Sequence, residues 1–175
     1  APKAKIVHLD IDTASISRNV VVDVPVVSDA SLALTHLLEW AEPMKTEKWQ
    51  AQIDEWQKEH PLEMRVRDGL NPQTIMEDIA DVFGEATYVT DVGQHQMWAT
   101  QFLPLRGSSR MITSGGLGTM GFGYPAAVGA KAADPDRPVV CITGDGGFQM
   151  NMAEFATSVC ADIPVTVCVV NNRYL

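Results

Sequence analysis

The chain has 175 residues, of which 46% are hydrophobic and 20% charged, and its formal net charge is −9 at pH 7. This composition is typical of a folded globular protein and excludes a disordered chain. The acidic balance and the lack of a lysine and arginine cluster argue against nucleic acid or an anionic membrane as a partner. We expect a cytoplasmic protein for three reasons. Cysteines are sparse, the opening residues do not resemble a signal peptide, and no apolar run is long enough to span a membrane.

The first third of the chain predicts two strands followed by two helices. In chain order these are a strand at Lys5–Asp10, a strand at Val20–Val27, a helix from a Ser28 cap to about Glu39, and an amphipathic helix at Thr46–Glu59. The mixed-charge stretch that follows contains Gly69 and is interpreted as a linker. We therefore expect residues 1–60 and 72–175 to form separate units joined by residues 61–71.

The rest of the chain alternates helices with short apolar strands. Helices are predicted at Pro72–Phe83, Gln94–Phe102, Tyr124–Ala133 and Met150–Ala161, and strands at Thr87–Asp91, Arg110–Ser114, Val139–Thr143 and Val165–Val170. Strands that alternate with helices at this spacing are typical of a mostly parallel sheet covered by helices on both faces. The predicted fold class is therefore α/β.

Glycines and polar residues follow each of the four strands predicted in the second unit. These strand exits are Val92–His95, Ser114–Gly123, Gly144–Gly147 and Asn171–Asn172. Because the carboxyl ends of parallel strands meet at one edge of a sheet, the four exits are expected to lie together. Ligands of open parallel sheets bind at that edge, so we expect a binding site there.

The Gly144–Gly147 exit combines glycines with one carboxylate. Glycines beside a helix start let a phosphate approach backbone N–H groups closely. Asp145 would repel a phosphate unless a cation lay between them, and Mg²⁺ prefers such oxygen ligands. The alternative is that Asp145 caps a helix and the glycines form only a turn. Asn172, at the neighbouring exit, supplies another oxygen and favours the metal interpretation.

These motifs, in this order, resemble those of a known enzyme family. Gly144-Asp145-Gly146, followed after 24 residues by Asn171-Asn172, is similar to the thiamine diphosphate motif. The runs Gly93–Trp98 and Ser114–Gly121 resemble the large catalytic subunit of acetohydroxyacid synthase (acetolactate synthase), and the similarity extends from the first strand to Leu175. The resemblance implies that residues 1–60 are the end of a middle, FAD-associated domain. It also implies that residues 72–175 are a diphosphate-binding domain that is truncated at its C-terminal end.

The resemblance also implies roles for individual residues. Mg²⁺ would be held by Asp145, Asn172 and the backbone carbonyl of Tyr174. Thiamine diphosphate would contact Gly93, Gln94, His95, Gly146 and Gly147, while Met120, with Gly118 nearby, would support the bent cofactor. In the first unit, FAD would contact Asp10, Asp29 and Ala30; the alternatives there are a strand-end carboxylate and a charge at a helix start.

The family's activity is the decarboxylation of pyruvate and condensation of the two-carbon unit with a second 2-keto acid. That acid is pyruvate or 2-ketobutyrate, and the reaction serves branched-chain amino acid biosynthesis. The implied partners are a second copy of the subunit, in a homodimer or tetramer, and a small regulatory subunit. The family's catalytic glutamate belongs to a domain that has no match here, so the catalytic set is incomplete and the chain alone is expected to be inactive.

Two other functions stay open at this point. A related thiamine diphosphate enzyme, such as pyruvate oxidase or glyoxylate carboligase, would share the fold and the metal motif. A nucleotide-binding module without catalysis is the other alternative, because Gly116, Gly118 and Gly121 are spaced as in a dinucleotide-binding string. That string begins on a loop and continues into further glycines, which is weak support.

Overall fold

A computed structural model describes residues 3–64 and 70–173. The chain divides into two compact units, Ala1–Glu59 and His60–Leu175, and each is described by itself. The division falls one residue before the predicted end of the first unit. Residues 65–69 of the predicted linker, which include Gly69, lie outside the described residues. Which domain of a longer protein each unit represents stays a prediction.

The first unit contains two parallel strands and two helices. Its elements are β1 (Val7–Asp10), β2 (Val24–Val27), α1 (Ala30–Trp40) and α2 (Glu47–Glu59). Both strands are shorter than predicted, since the ladder begins where Asp23 and Val24 donate to the Ile6 carbonyl. In α2, Trp49 and Trp56 pack edge to face with ring centroids 5.5 Å apart.

The start of α1 corrects one prediction. The N-cap is Asp29, not Ser28, because the Asp29 carboxylate accepts a hydrogen bond from the Leu32 N–H at 3.1 Å. The Ser28 N–H instead donates to the carbonyl of Asp10 at 3.1 Å, which extends the pairing of the two strands by one residue. Ser28 is therefore the last residue paired with the sheet, and both the cap and the start of the helix lie one residue later than expected.

The second unit is a four-stranded parallel sheet with helices between its strands. Its elements are α3 (Pro72–Phe83), β3 (Thr87–Thr90), α4 (Gln94–Phe102), β4 (Arg110–Thr113), α5 (Gly123–Ala133), β5 (Val139–Gly144), α6 (Asp145–Asn151), α7 (Phe155–Cys160) and β6 (Thr166–Val170). The strand order is β4-β3-β5-β6, and every pairing is parallel. This arrangement confirms the predicted α/β class.

Helices pack on both faces of this sheet. Alternate side chains of β3 and β5 point to opposite faces, as the two-residue period of a strand requires. Tyr88 and Ile142 lie in one apolar cluster with residues of α3 and α4. Val89 and Cys141 lie in a second cluster with residues of α5. The central strands are thus buried on both sides, and polar groups at their ends are left to line the sheet edge.

The helix predicted at Met150–Ala161 is wrong in its start and its continuity. The structure begins α6 at Asp145, directly after β5, so Gly146 and Gly147 lie inside the helix rather than in a preceding turn. A short 3₁₀ turn at Met152–Glu154 then separates α6 from α7. Glycine disfavours helix interiors by about 1 kcal/mol, which is why the sequence pattern placed the helix start later.

None of the helices in the described ranges is both long and apolar enough to cross a membrane.

Candidate functional site

A cleft lies at the carboxyl edge of the four-stranded sheet, where the strand exits meet. It is lined by residues from the exits of β3, β4, β5 and β6: Val92, Gly93, Gln94, His95, Trp98, Met120, Gly144, Asp145, Gly146, Gly147, Val170 and Asn172. The structure therefore brings together eight of the predicted second-unit residues, namely Gly93, Gln94, His95, Met120, Asp145, Gly146, Gly147 and Asn172. Gly118 is in the same glycine-rich loop as Met120 but does not line the cleft. Tyr174 lies outside the described residues.

His95 presents a buried nitrogen without a protein partner. It lies in the first turn of α4 and is 5% exposed, and its Nε2 accepts or donates no hydrogen bond within the described part of the chain. Burial lowers the pKa of the imidazole, against the opposing charges of Asp91 and Asp145, so the ring is neutral near pH 7. A buried polar atom normally has a hydrogen-bond partner. The missing partner of Nε2 therefore indicates that a ligand atom binds there.

Two glycines make room for that imidazole. A Cβ on Gly93 would lie 2.9 Å from the ring carbon Cε1, and a Cβ on Gly144 would lie 3.0 Å from Nδ1. Gly93 also has φ +150°, a conformation that L side chains rarely adopt. The ring therefore lies against bare backbone from two strand exits, and the glycines serve the packing of the histidine as well as the approach of a ligand.

Oxygen-bearing side chains lie on the β5 and β6 sides of the cleft. Asp145 is the first residue of α6, and Asn172 follows β6. The Asn172 Nδ2 donates to Gln94 Oε1 at 3.2 Å, which links the β6 exit to the start of α4. Within the described residues no group of three histidine, cysteine or acidic side chains is placed to hold a metal. A Mg²⁺ ion here would thus depend on Asp145, amide or carbonyl oxygens and the ligand itself.

Met120 reaches the cleft from the loop between β4 and α5. Its side chain is 36% exposed, so it is not a core residue. The loop around it is built from turns: Gly118 and Gly121 have φ +70° and +85°. The Ser114 Oγ also accepts from the Thr119 N–H at 3.1 Å. The backbone, more than side-chain packing, therefore sets the position of this methionine.

Asp91 was not predicted as a site residue, yet it lies against Gly147, which lines the cleft. It directly follows β3, is 1% exposed, and accepts backbone N–H groups from Val92, Gly121 and Gly123. The signal in the sequence was a carboxylate at the end of a buried strand, immediately before a glycine-containing exit. Asp91 ties the exits of β3 and β4 together.

The residues predicted for FAD lie in the first unit, at the carboxyl ends of its two strands. Asp10 ends β1 and its Oδ1 accepts from the Asp12 N–H at 2.8 Å. Asp29 and Ala30 form the cap and first residue of α1, just after β2. Both carboxylates therefore already accept one backbone N–H each. The three residues lie near one end of the strand pair, and their role in flavin binding stays a prediction.

A comparison with known protein families finds a match within the second unit. Residues 91–175 match the family described as thiamine pyrophosphate enzyme, C-terminal TPP binding domain; thiamine pyrophosphate is thiamine diphosphate. This part of the chain is similar to that family, and the cleft described above lies within the matched residues. The resemblance found in the motifs is thereby confirmed.

Similarity to particular relatives covers the whole chain. It is 44% identical over 180 residues to the acetolactate synthase large subunit of Parasynechococcus marenigrum, covering 99% of this chain and 29% of the relative. It is 43% identical over 183 residues to acetolactate synthase isozyme 3 large subunit of Escherichia coli, covering 99% and 32%. A probable acetolactate synthase large subunit of Methanocaldococcus jannaschii is 44% identical over 186 residues, covering 100% and 32%. The chain thus spans about three tenths of the length of these relatives.

Proposed function

We propose that the chain is the cofactor-binding end of an acetolactate synthase large subunit. The complete subunit would decarboxylate pyruvate and join the two-carbon unit to a second 2-keto acid, pyruvate or 2-ketobutyrate. One observation carries the proposal: residues matching the family's cofactor motifs, from four separate strand exits, line a single cleft. The relatives' names favour this activity over a related oxidase or glyoxylate carboligase.

The residues of the cleft fit a diphosphate. The unpartnered Nε2 of His95 and the Gln94 side chain face the same cleft as the glycines of the β5 exit, where side chains do not obstruct an anion. The chain has a net charge of −9, so its overall field does not attract an anion. Binding would therefore depend on local groups: the N–H groups of Gly146 and Gly147, the His95 imidazole and a cation held at Asp145.

Mg²⁺ would be held by Asp145, Asn172 and the backbone carbonyl of Tyr174. These are hard oxygen donors of the kind Mg²⁺ prefers, and the ion commonly links a carboxylate to ligand phosphates. In this position Asp145 would hold an ion that could anchor the diphosphate and offset the repulsion between the diphosphate and the carboxylate. The ion is not proposed as the Lewis acid of the reaction.

Thiamine diphosphate, when bound, supplies the carbon nucleophile that this chemistry requires, and the protein supplies binding and orientation. His95, Gln94 and the glycines would fix the diphosphate end. Met120 would support the rings from the glycine-rich loop and exclude water from that side. No complete set of proton-transferring groups is proposed within this chain, because Asp145 is committed to the metal.

The remaining parts of the proposal concern the first unit and the partners. FAD would contact Asp10, Asp29 and Ala30. The partners would be a second copy of the subunit, in a dimer or tetramer, and a small regulatory subunit, as the relatives' printed name "large subunit" suggests. The three free cysteines support the cytoplasm as the compartment. The pathway would be branched-chain amino acid biosynthesis.

The test is the product formed from pyruvate by the complete subunit, with and without thiamine diphosphate and Mg²⁺. We expect acetolactate only when both are present. Asp145→Ala should weaken Mg²⁺-dependent cofactor binding in calorimetry by more than about tenfold, since even indirect partners of a bound metal are worth roughly 10- to 100-fold. The control is Asp136→Ala, an exposed carboxylate before β5, which should bind as wild type. Unchanged affinity in Asp145→Ala would overturn the metal assignment, and a different product would overturn the activity.

A further inference from the structure

The carboxylate of Asp91 is buried without a cation in contact with it in the described ranges, and it is satisfied by backbone. Its Oδ1 accepts from the Gly121 N–H at 3.0 Å and from the Val92 N–H at 2.7 Å, and its Oδ2 accepts from the Gly123 N–H at 2.7 Å. Burying a charge is costly unless its hydrogen bonds are complete. Here the hydrogen bonds seen at this carboxylate all come from backbone N–H groups of the β3 and β4 exits, so the carboxylate holds these two segments together.

Asn151 binds the same segment through the carbonyl group of Gly121. This residue ends α6, and its Nδ2 donates to the carbonyl of Gly121 at 2.7 Å. A Cβ on Gly121 would lie 2.6 Å from that nitrogen, and the residue has φ +85°, so glycine is required. The N–H and the C=O of one glycine are therefore both bound by side chains from other elements, Asp91 after β3 and Asn151 at the end of α6.

Asp91 also contacts the helix that carries the metal motif. A Cβ on Gly147 would lie 2.5 Å from Asp91 Oδ1, and a Cβ on Gly123 would lie 2.8 Å from Asp91 Cβ. Glycines thus surround the carboxylate on two further sides. The packing leaves little space for a longer or shifted side chain, so the position of the carboxylate is closely defined.

The Gly121 N–H belongs to the peptide bond that joins Met120 to Gly121. Met120 is 36% exposed and cannot rely on core packing for its position. We propose that Asp91 and Asn151 form a clamp on Gly121 that positions Met120 in the cleft. Both would be positioning residues that act through Met120 and touch neither cofactor nor substrate. The inference deepens the proposed function and rests on it for the catalytic part of its test.

The first test measures hydrogen exchange of the complete subunit without cofactor. Asp91→Asn replaces one accepting oxygen with an NH₂ group, and Asn151→Ala removes the donor. In both variants, exchange in the segment 114–123 should become faster, while exchange in β5 stays as in the wild type. Equal exchange of this segment in wild type and variants would overturn the clamp. This measurement is independent of whether the subunit makes acetolactate.

The second test measures turnover and KM for pyruvate. Misplacing a positioned group by about 1 Å costs up to roughly 100-fold, so we expect kcat to fall between about tenfold and 100-fold, with KM within about twofold. Because the clamp acts through Met120, combining Asn151→Ala with Met120→Ala should lower kcat little further than Met120→Ala alone. Multiplicative losses would overturn the link to Met120.

Two controls separate positioning from general stability. Glu85→Gln changes a carboxylate at the other end of β3 that also binds a backbone N–H, that of Ser108. Gln149→Ala changes an exposed residue of α6. Both should leave kcat and the exchange of residues 114–123 unchanged. A loss of kcat in these controls equal to that in Asp91→Asn would overturn the specific role of the clamp.

Discussion

At the scale of single residues, the cleft contains one buried polar atom that has no hydrogen-bond partner in the described part of the chain. This atom is Nε2 of His95, and burial also lowers the pKa of its ring. Leaving such an atom unsatisfied costs about 1–3 kcal/mol. A bound diphosphate would remove that cost and would also favour the protonated imidazole. The histidine is thus better explained as part of a binding site than as a core residue.

Met120 and Met76 allow a matched comparison of site and core. Met76 is fully buried between α3 and the sheet, whereas Met120 is 36% exposed. Met76→Ala should lower the free energy of unfolding by about 2–5 kcal/mol. Met120→Ala should cost less than the low end of that range, because its side chain gains little from burial, and should lower turnover strongly.

Urea unfolding and steady-state kinetics of the complete subunit check this comparison. Stability losses are compared between the two variants, and kcat is compared at saturating cofactor. If Met120→Ala lost stability as Met76→Ala does and kept full turnover, Met120 would be a core residue and its role in the cleft would be wrong.

At the residue scale, the sequence singled out candidates only where a motif had a defined spacing, and the roles assigned to those candidates stay predictions. Asp145 and Asn172 could be singled out because they follow neighbouring parallel strands. Asp91 and Asn151 were not singled out, because a carboxylate at the end of a strand is a weak signal and Asn151 is one polar residue in a predicted helix. Their importance depends on a contact with Gly121, 30 residues away in each direction, which no local pattern encodes.

At the scale of elements, helices with clear end signals were predicted best. The Asn71 cap and the following proline define the start of α3, which runs from Pro72 to Phe83 as expected. The start of α6 was placed too late because two glycines appeared to forbid it. In the structure, Gly147 lies against the Asp91 carboxylate, so a close approach, not a turn, requires the glycine.

A Gly144→Ala substitution would test the contact between the end of β5 and His95 of α4 with little backbone strain. Its φ of −86° is allowed for alanine, but an added Cβ would lie 3.0 Å from His95 Nδ1. Gly144→Ala should therefore push the imidazole away from its place and weaken thiamine diphosphate binding by about tenfold, or about 1.4 kcal/mol.

Gly129→Ala is the matched control for this change. Gly129 is exposed inside α5, and a Cβ there would meet nothing within 4 Å. The substitution should raise stability by about 0.5–1 kcal/mol, as expected for glycine in a helix, and leave cofactor affinity unchanged. Calorimetry and thermal melting distinguish the two variants; equal cofactor affinity in both would remove His95 from the binding site.

At the scale of the whole molecule, the sequence similarity runs through both units, whereas the family match covers residues 91–175. The parallel sheet of the second unit followed from its alternating pattern, because parallel strands need helical crossovers, whereas its strand order was not predicted. The first unit was harder to interpret, since two short strands and two helices define no complete sheet. Its candidate ligand residues, Asp10 and Asp29, also have ordinary structural roles as turn and cap.

The two proposed cofactors should respond to separate substitutions. Asp10→Asn keeps an oxygen for the Asp12 N–H but removes the charge that would accept from a ribose hydroxyl. A hydrogen bond to a charged group is worth about 1.5–3 kcal/mol, so flavin affinity of the complete subunit should fall by about tenfold or more. Thiamine diphosphate affinity should not change, because its proposed ligands all belong to the second unit.

The control for this last substitution lies at the opposite end of the same strands. Asp23 accepts the Ile6 N–H at 2.8 Å, so Asp23→Asn makes the same chemical change away from the proposed flavin site. Flavin retained after gel filtration, read from its visible absorbance, and calorimetry with thiamine diphosphate give the two affinities. If Asp23→Asn lost as much flavin as Asp10→Asn, the cause would be disturbance of the strand pair and not the loss of a flavin ligand. Retention of flavin in both would leave Asp10 with only its structural role, as the residue that turns the chain after β1.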